Sequence, residues 1–217
     1  MAKKRRRVVR SLDWYRVWPR GLNPSVESYD QILRDAADSP HLARIGPSVQ
    51  WVAAAGAVAF ILLWVGLLLM RQISQDAGQF LMLFGVPITV LLVAGRLLLF
   101  VTVGHAIAQG MKLEGRREEL ALVLAAAHSP TLVLIGLVCL GNAILNVTAG
   151  VAFVPTAVAN LLTVYEFVLG MFAVQSVYRV SMTRAFTITF PALLVTMAIL
   201  SASTFFEFAV LTQNALR

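Results

Sequence analysis

Charge is what this sequence has least of. Asp, Glu, Lys and Arg make up 13% of its 217 residues, about half the share found in a soluble domain, which excludes the ordinary hydrated surface of a water-soluble protein. Cysteine is nearly absent as well. Cys139 stands alone inside an apolar run, which excludes a disulfide framework or a cysteine metal cluster and leaves the reading of a small buried hydrophobe. Neither GxGxxG nor GxxxxGK[ST] occurs, nor HExxH, nor GxSxG, so phosphate-cradling, zinc-protease and esterase chemistries have no carrier. His105 and His128 have no organised carboxylate partner in the sequence, and two histidines alone do not make a metal centre. No catalytic constellation can be assembled, so neither enzyme activity nor a cofactor is expected.

Apolar residues fill the place of the missing charge: they reach 59% of the chain, with a mean hydropathy of +0.78. They are gathered into runs longer than the roughly 20 residues that cross a bilayer as a helix. The alternating segments of roughly 10 residues that mark a membrane barrel are missing, and a spanning helix satisfies its own backbone. The expected fold is an all-α integral membrane bundle of about five transmembrane helices with an N-terminal amphipathic arm. The arm takes 1–47 and the bundle 48–217, with spans at about 48–70, 80–108, 121–148, 156–178 and 185–211. The second run contains Arg96 and His105; splitting it at Arg96 leaves two pieces too short to cross, so one long, tilted helix is expected. Ser129-Pro130 is expected to start or kink the third span, and Gly150 to Pro155 to make the turn before the fourth.

The N-terminus has a basic start but no apolar segment behind it, so a secretory signal is not expected. In the arm, Lys3, Lys4, Arg5, Arg6, Arg7 and Arg10 precede or alternate with Val8, Val9, Leu12, Trp14, Val17 and Trp18. Such a mixture suits anionic headgroups, where Trp anchors and Arg pairs with phosphate. Asn23-Pro24 reads as a cap and first turn. The amphipathic helix at about 24–38 carries Val26, Tyr29, Ile32, Leu33, Ala36 and Ala37 at helical spacing and is expected to lie on the membrane or on the bundle.

The net charge of +7 speaks to membrane topology. With the N-terminus inside, the inner segments hold fifteen Lys/Arg: ten in 1–47, three in 110–119 and two in 179–184. The outer segments hold only Arg71 and Arg217, and Arg96 is the one basic residue inside a run. That bias favours a cytoplasmic N-terminus and an external C-terminus, and an odd number of spans. The basic residues flank membrane runs, so nucleic acid is not an expected partner.

Three segments carry a resemblance: NPSVESYDQIL before the first span, GHAIAQGMKLEGRREELALVLAAAHSP after the second, and YEFVLGMFAVQSVYRVSMTRAF across the fourth helix and the Tyr-Arg-x-Ser turn. In their order and spacing the chain resembles the bacterial branch of the Yip1 domain family over about residues 22–211. The resemblance implies a five-span membrane fold in a bacterial inner membrane. Eukaryotic members work in vesicle traffic with Rab GTPases and carry an acidic-Leu-Tyr-Gly-Pro motif in the N-terminal arm. That motif is absent from this chain, and Rab binding is not implied.

Ionisable groups at membrane depth cost a few kcal/mol unless paired or wetted, which makes them functional pointers. Here they are Arg96, His105, His128, Glu166 and Glu207. Arg96 and Glu166 fall mid-span and are the expected intramembrane pair. His105 and His128 are placed near the inner interface, where histidine needs no special role, and Glu207 near the outer one. Asn142, Asn146, Asn160, Gln175, Ser176, Ser201, Ser203 and Thr204, with Gly66, Gly85, Gly95, Gly136, Gly141 and Gly170, are read as packing and hydrogen-bonding positions between helices. The functional expectation is a non-enzymatic scaffold whose partners are lipid and other membrane proteins or further copies of itself. The alternatives are an accessory subunit of an energy-converting or transport complex, and a small proton or ion transporter using Glu166 and Arg96.

Overall fold

The computed structural model describes the backbone of residues 14–38, 44–70, 75–149 and 155–215, and the side chains of 17, 19–37, 44–70, 83–148 and 164–199. Lys3 to Arg10 lie outside these residues, as do the side chains of Trp14, Trp18 and Glu207. The described residues form seven helices and no strand: α1 (Trp14–Gly21), α2 (Val26–Asp38), α3 (Ile45–Leu69), α4 (Gln75–Gly110), α5 (Arg117–Ala149), α6 (Pro155–Tyr178) and α7 (Met182–Ala215). Four stretches among them, Ile45–Leu69, Leu83–Gly110, Arg117–Thr148 and Met182–Ile199, are long and apolar enough to cross a membrane. The described apolar part of α6, Val164–Tyr178, is shorter.

α4 runs unbroken through Arg96 for 36 residues. α5 likewise runs through Pro130, which neither begins nor ends the helix. α5 is the hub: it packs on α3, α4 and α6, while α7 lies against α4 and α6. Between Leu120 and Ala127 no α5 side chain is more than 1% exposed. Close crossings depend on small residues: a Cβ at Gly136 of α5 would stand 2.8 Å from Ala59 Cα of α3, and one at Gly66 would stand 3.3 Å from Ala143 Cβ. Gly95 and Gly141, read from sequence as packing positions, have nothing within 4 Å of where a Cβ would be. The hydroxyls of Ser129, Thr131, Thr148 and Thr196 turn back to the carbonyl four residues earlier in their own helix, so each donates its hydrogen within the helix and not across to a neighbour.

Sequence pattern assigns no helix at α1 and offers α2 a choice of surfaces. α1 packs on α5, and α2 on α6 and α5. Ser25, two residues beyond the expected Asn23, caps α2: its Oγ accepts the Ser28 N–H at 3.1 Å, relieving one of the free first-turn donors. The apolar face of α2 is used up against the bundle, with Tyr29 and Ile32 fully buried and Ala36 nearly so. Ala37, assigned to that face from spacing, is exposed. Arg20 pairs with Asp35, tying α1 to α2.

Proline chemistry positions this α1–α2 pair. Pro130 has no N–H to offer the Ala126 carbonyl four residues earlier. Gly21 lies against that carbonyl: a Cβ there would stand 1.9 Å from the Ala126 oxygen. Tyr29 Oη donates to the Gly21 carbonyl at 3.2 Å. Burial pushes the Tyr29 phenol well above its ordinary value, and the neighbouring Tyr165 adds to the same shift.

Candidate functional site

α4 ends, α5 begins and α6 ends at the same pole of the bundle. The connection after α4 turns through Lys112 in the left-handed region, with the Leu113 N–H returning to the Ala108 carbonyl at 3.0 Å. Gly115 then sits on the Tyr178 ring, so close that a Cβ would stand 2.5 Å from Tyr178 Cδ1. The same tyrosine's hydroxyl is 2.8 Å from His105 Nδ1 of α4. These contacts hold α4, α5 and α6 in fixed register at the pole.

Counting inward from there, Arg96 is fourteen residues before Gly110, His128 eleven after Arg117 and Glu166 twelve before Tyr178. At 1.5 Å per residue all three stand about 17–21 Å from the pole. Arg96 Nη2 donates to Glu166 Oε2 at 2.6 Å, joining α4 to α6. The Glu166 side chain is 5% exposed and that of Arg96 24%. His128 Nδ1 lies 2.7 Å from the Leu124 carbonyl oxygen. A carbonyl only accepts, so Nδ1 carries the proton and Nε2 is left with a lone pair. Arg96, His128 and Glu166 share the lining of a cavity of about 30 Å³, walled by Val52 of α3, Phe100 of α4 and Leu132 of α5 among others. Glu166 Oε1 is buried and has no hydrogen-bond partner among the described residues. An ionised oxygen left unpaired in a dry site is costly.

His128 is the member that sequence reasoning missed, placing it at the interface beside His105. The signal is in the spacing: similar counts from one pole, eleven to fourteen residues, put Arg96, His128 and Glu166 at nearly one depth. His105, five residues from Gly110, does stand near the pole. Among the described residues no three His, Cys, Asp or Glu side chains come together as a metal site.

The α1–α2 pair reaches this level. Tyr165, beside Glu166, donates its hydroxyl to the Leu22 carbonyl between α1 and α2. At the pole end of the same contact, Asp30 accepts from Ser176 Oγ at 2.6 Å and from Arg179 Nη1 at 2.5 Å. Ser176, read as an interhelical residue of the span, therefore serves α2. The segment from Leu22 to Asp30 thus follows α6 from the level of the ion pair to its end, about 20 Å by the rise of α6. No protein-family model, curated protein or solved structure matches the chain at a significant level.

Proposed function

We propose that this chain is a five-span membrane protein of Yip1-like type, working without chemistry of its own as a scaffold for other membrane proteins. The observation that carries the reading is the docked α1–α2 pair. It leaves the pole as one folded polar surface, where Lys112, Glu114, Arg116, Arg117, Arg179 and Arg184 are all exposed. Among the described residues the large side chains exposed on the sides of the long helices are mostly apolar, such as Val58, Leu91, Leu137 and Leu194, which lipid can cover. A partner that recognises this protein by charge must do so at the pole.

The fifth span is α6, whose 24 residues rise about 36 Å. The charge bias puts the pole in the cytoplasm, with anionic headgroups as the natural contact of the basic residues before α1. Continuous helices through Arg96 and Glu166 favour a scaffold over a carrier, since carriers break helices at their sites. The N-terminal pair runs beside α6 in this reading and does not lie flat on the membrane.

Single cysteines at Gln75, Glu114 and Gln213, in a Cys139-less chain, should label from outside at the first and last and only after permeabilisation at Glu114. Purified in mild detergent, the chain should hold a stoichiometric membrane partner. Reversing Lys112, Arg116 and Arg117 to Glu should release that partner while the melting temperature stays within a few degrees. A proton flux in liposomes that Glu166→Gln abolishes would overturn the scaffold in favour of transport.

A further inference from the structure

We infer that Arg96, His128 and Glu166 form a water-linked proton site: one water bridges Glu166 Oε1 to His128 Nε2, and His128 Nε2 takes up a single proton. This goes beyond the scaffold reading and does not rest on it, because the proton stays in the site and no flux is implied.

The chemistry follows from counting donors and acceptors. Glu166 Oε1 is an acceptor with no donor. His128 Nε2 is a second acceptor, because Nδ1 donates to Leu124. Both residues line one cavity, and two acceptors cannot satisfy each other. A water satisfies both, giving one hydrogen to each, and takes one of the remaining Arg96 N–H groups on its lone pair. Buried waters make about three hydrogen bonds, which is the number on offer. The cavity of about 30 Å³ exceeds the ~10–15 Å³ that one water needs.

Uptake of a proton keeps the network satisfied. With Nε2 protonated, His128 donates to the water, the water gives one hydrogen to Glu166 Oε1, and Arg96 keeps Oε2. One carboxylate then stands between two cations, the arrangement that favours charged histidine. The charged and titratable groups around His128 are few. α4 presents Arg96. α6 presents Glu166 and Tyr165, whose hydroxyl is turned away to Leu22. α3 contributes Val52 to the lining, and α7 contributes nothing to it among the described residues. The α1–α2 pair meets α5 and α6 at this level through the backbone of Gly21 and Leu22, and its titratable group there is Tyr29, whose hydroxyl is held on the Gly21 carbonyl.

The test is nitrogen NMR on the full chain in lipid nanodiscs with 15N-labelled histidine ring nitrogens, His128 being assigned by the signal lost in His128→Gln. Near neutral pH the ring should be the Nδ1–H tautomer, and a water-edited spectrum should show it in contact with a held water. On acidification a single proton should add at Nε2. Glu166→Gln removes the favourable carboxylate and should lower the midpoint by roughly 1–3 pH units. Arg96→Gln removes the opposing cation and should raise it, so the sign can be read from whichever variant folds. An Nε2–H tautomer at neutral pH, a dry ring, a ring that stays neutral throughout, or a midpoint indifferent to both substitutions would each overturn the proposal.

Discussion

From Leu120 to Ala127, α5 is enclosed on every side; from Leu134 to Val147 it leaves Leu134, Leu137, Ile144, Leu145 and Val147 a third to a half or more exposed. Both stretches are apolar, and hydropathy does not separate them. The enclosed stretch carries Ala121, Ala125, Ala126 and Ala127, side chains small enough for neighbours to close in from several directions. The open stretch sets Gly136 and Ala143 on one face, where they meet α3, and gives its branched residues to the outside. Lipid tails are as apolar as leucine, so nothing in hydrophobicity drives one face inward, and close packing of small residues decides. The enclosed stretch ends at His128, where the buried polar groups begin.

The largest effects should come from that boundary. Removing one partner of a buried ion pair typically costs ~3–5 kcal/mol. Glu166→Gln strands Arg96, and Arg96→Gln strands Glu166; the second should sit at the upper end, because Glu166 is 5% exposed and Arg96 24%. The double variant should recover much of the loss, since neither charge is then uncompensated. A double-mutant cycle on melting in detergent measures the coupling. Additive losses would show that the enclosed region does not depend on the pair.

Next comes the contact that encloses α5 from the N-terminal side. Gly21→Ala puts a methyl 1.9 Å from the Ala126 carbonyl oxygen. That oxygen belongs to a helix backbone and cannot swing aside, so the cost should reach about 1–3 kcal/mol, with faster proteolysis around residues 22–25. Leu145→Ala, on the open stretch, should change stability by about 0.5 kcal/mol or less. Equal losses from the two would erase the distinction between the stretches.

The legible part of the fold is whatever hydropathy and charge decide. The runs around Trp51, Leu92 and Ile135 read as long helices because nothing polar breaks their apolar character for long. Arg96 and Glu166 stand out as partners because they are opposite charges deep in separate runs. Ser129-Pro130 misleads as a start: α5 passes through the proline, and the carbonyl it leaves free lies against Gly21. Only a fragment distant in sequence explains that residue, and local pattern contains no such information. α1 escapes for a related reason. Eight residues holding Pro19 are too short and too interrupted to announce a helix, and packing on α5 supplies what propensity lacks.

Tyr29 gives a smaller effect and a pH signature. Tyr29→Phe removes its bond to the Gly21 carbonyl and should cost about 0.5–1.5 kcal/mol at neutral pH. The phenol's value in the folded chain is raised by burial, so the neutral form is favoured by folding. Its contribution is complete below the free-tyrosine value of ~10 and is lost as pH climbs above it. A melting profile into alkali should fall faster for the native chain than for Tyr29→Phe. Parallel profiles would mean that Tyr29 meets water and that α2 does not seal α6.

The smallest effect belongs to the Asp30–Arg179 ion pair, and substitutions at Asp30 separate it from a second bond made by the same carboxylate. Oδ2 meets Arg179, which is 65% exposed, while Oδ1 accepts from Ser176 Oγ, which is fully buried. Asp30→Asn keeps an amide oxygen for Ser176 and gives up the ion pair. Exposed pairs contribute about 0.2–1 kcal/mol and are screened by salt, so the loss should be of that size and should shrink at high ionic strength. Asp30→Ala also takes the acceptor from Ser176. A buried hydroxyl without a partner costs about 1–3 kcal/mol, and this further loss should not respond to salt. Arg179 makes its pair from a residue held at φ 53, a strained setting for a side chain other than glycine. Arg179→Gly gives up the pair but relaxes the backbone, so it should cost less than Asp30→Asn. Melting temperatures of the three variants at low and high salt decide the matter: the order Asp30→Ala, Asp30→Asn, Arg179→Gly, from most to least destabilised, is expected. Equal loss from Asp30→Asn and Asp30→Ala would show that Ser176 finds another acceptor, and that α2 is held to α6 by its apolar face alone.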